Sequence, residues 1–168
     1  MRVLIDTCVI MDALQNREPF AEGVKKIFLA VANKRFSGYI TAKSSIDIYY
    51  LIHRLTHKDK ETRKILSKLF TLFEVLDSAG IDCRKALSSG LSDYEDAVMV
   101  ETAVRSDIDC IVTRNPKDYL KFAVFVCSPD EFLNSLSNSC IKRRLWEQKL
   151  FLILLMHRAT LPIKIKRK

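Results

Sequence analysis

The sequence predicts an α/β fold: a three-layer α/β/α sandwich around a central parallel sheet of four to five strands, with a C-terminal appendage. Two observations carry this expectation. Short apolar strand-like runs alternate with helix-length amphipathic stretches, the pattern of a parallel sheet with helices on both faces. Acids also recur at or just after the ends of the strand-like runs, at Asp6, Asp47, Asp96 and Asp118. In open α/β sheets, ligands bind at the carboxyl ends of the strands. The length of 168 residues suits one domain, or one domain with an appendage.

Strands are expected at Arg2–Ile5, Gly38–Ile40, Phe73–Leu76, Cys110–Val112 and Val124–Val126, with a helix opening after Asp6. Glu22–Asn33 carries Val24, Ile27, Phe28 and Val31 at helical spacing. Ser44–Leu55 is apolar nearly throughout and is expected to be well buried, with Tyr50, Leu51 and Leu55 on the face of Asp47. Asp59–Leu72 places Ile65, Leu66 and Leu69 on one face and charges on the other; Asp82–Ser88 is short. Asp93–Arg105 opens on Ser92 and Glu95, the S-x-x-E spacing of a capping box. Asp96 shares the core-facing stripe of that helix with Val100 and Ala103.

The charge is unevenly spread. Nine of the 28 Lys and Arg, but one of the 20 acids, fall in residues 139–168, leaving 19 of each sign in the first 138. The main body is therefore neutral, and the basic pI of the whole chain says little about nucleic acid there. We expect a domain over residues 1–138 and a basic, apolar extension over 139–168. Five widely spaced cysteines with no CxxC pair argue against a disulfide framework and for a reducing compartment. Cys8, Cys110 and Cys127 are expected to pack as small hydrophobes. The N-terminus has no signal-peptide pattern, and Phe151–Met156 is too short to span a bilayer. A cytoplasmic protein with no membrane partner is the expectation.

Four acids aimed at one rim repel one another and are tolerable where cations neutralise them. The arrangement therefore predicts a metal site. Carboxylates without imidazole are hard oxygen donors, which suit Mg²⁺ or Mn²⁺ and disfavour zinc. Without metal, the crowding should raise at least one carboxylate pKa.

The segments RVLIDTCVIMDAL, YITAKSSIDIYYLI, SDYEDAVMVETAVRSDIDCIVTRNPKDY and VFVCSPDEFL, in that order, resemble the PIN-domain family, especially its VapC-like toxins. The resemblance covers about residues 1 to 136. It implies that Asp6 matches the acid of a D-T/S-x-V motif. Asp47 stands where a glutamate is usual, and Asp96 matches the third acid. Asp118 matches the fourth, in T-x-N-x-x-D-F/Y, assisted by Thr113 and Asn115. The implied activity is metal-dependent RNA hydrolysis leaving 5′-phosphate and 3′-hydroxyl ends. The implied partners are an RNA substrate, a cognate antitoxin protein and a second copy of the chain. The extension from Ser139 departs from the family pattern.

Asp6, Asp47, Asp96 and Asp118 are thus the expected catalytic acids, with metal held by Asp6, Asp96 and Asp118 and a second ion by Asp93. Each has a plain structural role as well: helix N-cap for Asp6, dipole partner for Asp96, turn former for Asp118, solvated helix edge for Asp47. Thr113 and Asn115 would orient water or phosphate, and Arg114 would contact a phosphate or be solvated. Asp93 and Glu95 read as capping and surface residues, Asp12 as a surface or structural acid, and Ser44 and Ser45 as caps. His53 and His57, four apart on one helix, lack a third ligand. Only four glycines occur, and no nucleotide-cradling motif. Two other readings stay open. One is a catalytically inactive PIN fold serving as a binding module, kept alive by Asp47 in place of Glu. The other is a receiver-type phosphoacceptor domain using Asp77.

Overall fold

A computed structural model describes residues 1–119 and 124–137. Five strands form one all-parallel sheet in the order β3-β2-β1-β4-β5. They are β1 (Arg2–Ile5), β2 (Ser37–Thr41), β3 (Glu74–Leu76), β4 (Cys110–Val112) and β5 (Phe125–Cys127). The helices are α1 (Thr7–Leu14), α2 (Ala21–Ala32), α3 (Ala42–Thr56), α4 (Asp59–Leu72), α5 (Gly80–Ala86), α6 (Tyr94–Arg105) and α7 (Pro129–Ser137). A 3-10 turn, Pro116–Tyr119, follows β4. The extension over residues 139–168 lies outside the described residues.

Strand side chains alternate between faces, and the two cores follow that alternation. Val3 and Ile5 of β1 and Cys110 and Val112 of β4 pack with α1, α2 and α3 through Val9, Ile27 and Ile48. Leu4 and Ile111 face the other way, onto Met99, Val100 and Ala103 of α6. The three-layer sandwich is therefore present. Gly38 lets β2 approach that first core. A Cβ there would lie 2.8 Å from the buried Phe73 ring and 3.1 Å from Val31.

Several sequence expectations fail for physical reasons. The buried stripe of α3 is Ser44, Ile48 and Ile52. Tyr50 and Leu55, on the stripe expected to be buried, are 62% and 64% exposed. A helix apolar almost all round does not say which stripe faces the sheet. Asp93, not Ser92, caps α6, its carboxylate accepting the Glu95 and Asp96 N–H groups at 2.8 and 3.3 Å. Thr41, not Ser44, caps α3. The strand order also differs from the 2-1-3-4-5 order of receiver domains, so the phosphoacceptor reading falls.

The order reverses at β1, which pairs with β2 on one side and β4 on the other. That makes the carboxyl edge of β1 and β4 the switch-point crevice. The N-termini of α1, α3 and α6 approach this edge, and their positive dipole ends favour negative charge there.

Asp82 holds α6 in place. Its carboxylate is almost fully buried and accepts four hydrogen bonds. These come from Ala79 N at 2.8 Å, Thr102 Oγ1 at 3.1 Å, and Arg105 Nε and Nη2 at 2.8 and 2.9 Å. The Arg105 guanidinium leads in lowering the carboxyl pKa below the usual aspartate value. A lowered folded pKa contributes stability above the unfolded value, near 4, and that contribution is lost as pH falls through the folded value. Asp82→Asn is expected to cost about 2–3 kcal/mol at pH 7. The gap should narrow below about pH 4, as measured by urea unfolding of both proteins across pH.

Candidate active site

Asp6 is the first residue after the central strand, and its backbone N–H still reaches Val112 O on β4 at 3.0 Å. Its extended backbone makes it the N-cap of α1. The Asp6 carboxylate is held on three sides. Oδ2 accepts the Thr113 hydroxyl at 2.7 Å and the Cys8 thiol at 2.9 Å, and Oδ1 accepts the Cys8 N–H at 3.3 Å. Burial, reinforced by the Asp6 charge, pushes the Cys8 thiol pKa up to about 11. The thiol thus remains an S–H donor at neutral pH. It is a polar partner of Asp6, not merely the small hydrophobe expected.

Asp96, in the first turn of α6, lines one small pocket together with Asp6, Lys43, Ser44 and Glu95. The buried Tyr119 hydroxyl acts on its carboxylate from the 3-10 turn after β4. Burial raises the Asp96 carboxyl above the usual range, the hydroxyl opposes this, and the charges of Asp6, Asp93 and Glu95 add to the rise. These three acids share its sign, and Lys43 is the cation lining the same pocket. Tyr119, buried and facing that carboxylate, has its own ionisation pushed far up, and it remains a donor.

The other expected residues are distributed as follows. Thr113 is buried and serves Asp6. Asn115 is exposed, its backbone N–H donating to Thr113 Oγ1 at 3.3 Å. Asp93 spends its carboxylate on the cap of α6. Asp47 is ion-paired with Lys43 at 2.6 Å. Asp118 lies in the 3-10 turn beside Tyr119, and its side chain is outside the described set.

Arg114 is half-buried and faces Asp12. Its Nε lies 3.5 Å from Asp12, and its guanidinium sits 5.3 Å from the Phe20 ring centroid. Asp12 is fully buried rather than at the surface, between Arg114 and Arg17, with both oxygens lacking hydrogen bonds. Burial raises its carboxyl pKa against the pull of the two arginines. His53 stacks on Tyr49 and His57 caps α3 in a left-handed conformation, so neither approaches this pocket.

Sequence reasoning passed over Lys43 and Tyr119 and placed Glu95 at the surface. Tyr119 closes the T-x-N-x-x-D-Y segment, so a signal for it was present. Lys43 stands four residues before Asp47, a helical ion-pair spacing.

Residues 2–117 match the sequence profile of the PIN domain. The chain belongs to the PIN-domain family. No curated protein matches it in sequence. Among solved structures, this PIN domain is similar to VapBC-1 from nontypeable Haemophilus influenzae, at 12% identity and a TM-score of 0.58, over 77% of this chain and 99% of that one. A toxin–antitoxin complex from Klebsiella pneumoniae matches at 20% identity and a TM-score of 0.56, over 76% and 97%. VapBC2 from Rickettsia felis, bound to a promoter DNA fragment, matches at 12% and 0.55, over 76% and 98%. At these identities the likeness concerns the fold.

Among the described residues, no three His, Cys, Asp or Glu side chains already enclose an ion-sized site. The donors fit a hard cation nonetheless. Mg²⁺ retains several waters and needs one or two carboxylates, and Asp6 and Asp96 supply two. A raised folded pKa means that ionising Asp96 costs stability as pH climbs from the unfolded value, near 4, through the folded one. Asp96→Asn is therefore expected to raise the melting temperature of chelator-treated protein at pH 7 and to leave it unchanged near pH 3, measured by differential scanning fluorimetry.

Proposed function

We propose that this PIN domain is a Mg²⁺- or Mn²⁺-dependent endoribonuclease, acting in the cytoplasm as the toxin of a type II toxin–antitoxin pair. The carrying observation is Asp96: half-buried beside Asp6 in one pocket, its carboxyl raised first by burial and then by the charges of Asp6, Asp93 and Glu95. Such a carboxylate is stabilised by a cation. The family membership and the toxin–antitoxin complexes among its structural neighbours support the same reading.

Asp6 and Asp96 would hold the ion, with Asp118 a further ligand on the strength of its motif. When bound, the ion supplies an acidified water and neutralises charge on the phosphate. The chain's own residues do the positioning. Thr113 and Cys8 fix the rotation of the Asp6 carboxylate. Such supporting donors usually matter about 10–100-fold in metal affinity or activity. The N-termini of α1, α3 and α6 contribute a positive field that favours an incoming phosphodiester.

The antitoxin and a second copy of the chain are the proposed protein partners. The outer face of α3 supports them, with Ile46 and Tyr50 one turn apart and both more than 60% exposed. A PIN fold acting only as a binding module is the second reading, favoured by the engagement of Asp47 with Lys43.

The test is single-turnover cleavage of an end-labelled structured RNA with Mn²⁺. Thr113→Val should slow cleavage roughly 10–100-fold, and Asp6→Asn or Asp96→Asn should slow it further, to the level seen with chelator. Cleavage by both aspartate variants at the wild-type rate would overturn the assignment. Metal binding without cleavage of any RNA would favour the binding module.

A further inference from the structure

Lys43 has no role in the chemistry above, yet it occupies the mouth of the pocket. It lies in the first turn of α3 and lines the same space as Asp6 and Asp96. Its ammonium is 2.6 Å from Asp47 Oδ2 on its own helix and in close contact with Glu95 Oε1 on α6. The second contact distinguishes it from an ordinary surface pair four residues apart on a helix. One nitrogen bridges carboxylates from two different helices. Asp47 Oδ2 is shut off from solvent, and the Lys43 charge compensates it.

That position is informative about charge. Asp47 and Glu95, from two different helices, converge on this one position, and Glu95 lines the pocket with Asp6 and Asp96. A divalent ion bound by oxygen sits about 2.0–2.6 Å from its ligands. The ammonium already stands at such a distance from Asp47. Nitrogen and a metal ion cannot share that place.

We propose that Lys43 is the built-in second cation of this acidic pocket, so that the chain binds one divalent ion, at Asp6 and Asp96, and not two. The proposal rests on the metal-dependent reading above and refines it. It assigns Asp47 to positioning the ammonium rather than to metal. It also makes Glu95 part of the site.

The experiment is Mn²⁺ titration of the full chain, followed by electron paramagnetic resonance of free Mn²⁺ and by calorimetry, with circular dichroism as a check on folding. Wild type should bind one ion per chain. Lys43→Met keeps the alkyl stem and removes the charge; it should bind two. Lys43→Arg keeps the charge and should bind one. Asp47→Asn in the Lys43→Met background should return the count to one. Two ions in wild type, or one in Lys43→Met, would overturn the proposal while leaving the Asp6–Asp96 centre standing. No binding by wild type and by Lys43→Met would overturn the metal centre itself and this proposal with it. Loss of the single wild-type ion in Asp96→Asn would keep the two failures distinct.

Discussion

The parallel pairing of β1 with β4 governs the rest of the molecule. One hydrogen bond, from the Asp6 N–H to Val112 O, carries the ladder one residue beyond β1. It puts Asp6 at the sheet's edge with its carboxylate facing Thr113, the residue after β4. The carboxylate cannot turn into solvent without losing the Thr113 and Cys8 donors and the cap of α1. Asp96 is brought to the same place by α6, which Met99, Val100 and Ala103 dock onto the opposite sheet face. Like charges are thus forced together by hydrophobic packing and backbone pairing, both far stronger than their mutual repulsion across a partly solvated pocket.

The protein handles its acids in three ways. Asp82 is buried and saturated with hydrogen bonds from Arg105, Thr102 and Ala79. Asp12 is buried with arginines nearby but without hydrogen bonds, an arrangement with less to repay its desolvation. Asp6 is left to a hydroxyl, a thiol and a backbone N–H. Neutral donors orient a carboxylate without cancelling its charge. That difference marks the pocket as a place where charge is kept available, whereas Asp82 is a joint between helices.

The fold was largely readable in the sequence, because apolar runs of strand length alternate with helical periodicity. The strands fall within a residue or two of their expected limits. Errors arose where a local pattern had two solutions. Ser92 and Asp93 both cap helices well; Asp93 prevails because its carboxylate reaches two N–H groups at once. The apolar surface of α3 exceeds what the sheet can cover, so Tyr50 and Leu55 face outward. Asp12 read as a surface or structural acid; its burial depends in part on Arg114, which reaches it from the loop after β4. Tyr119 and Lys43 were missed because their significance depends on what they touch across the pocket.

By itself the sequence determined which residues are strand and helix, that the sheet is parallel, and that Asp6 and Asp96 stand next to strand and helix ends. Those are consequences of local periodicity and short-range hydrogen bonding. Strand order, and therefore which acids are neighbours, was decided only by tertiary structure. Asp6 meets Thr113 from 107 residues away, and Lys43 meets Glu95 across two different helices. No local rule encodes such pairings. They follow from how the two faces of the sheet bury their apolar side chains, and the charges at the rim are carried along.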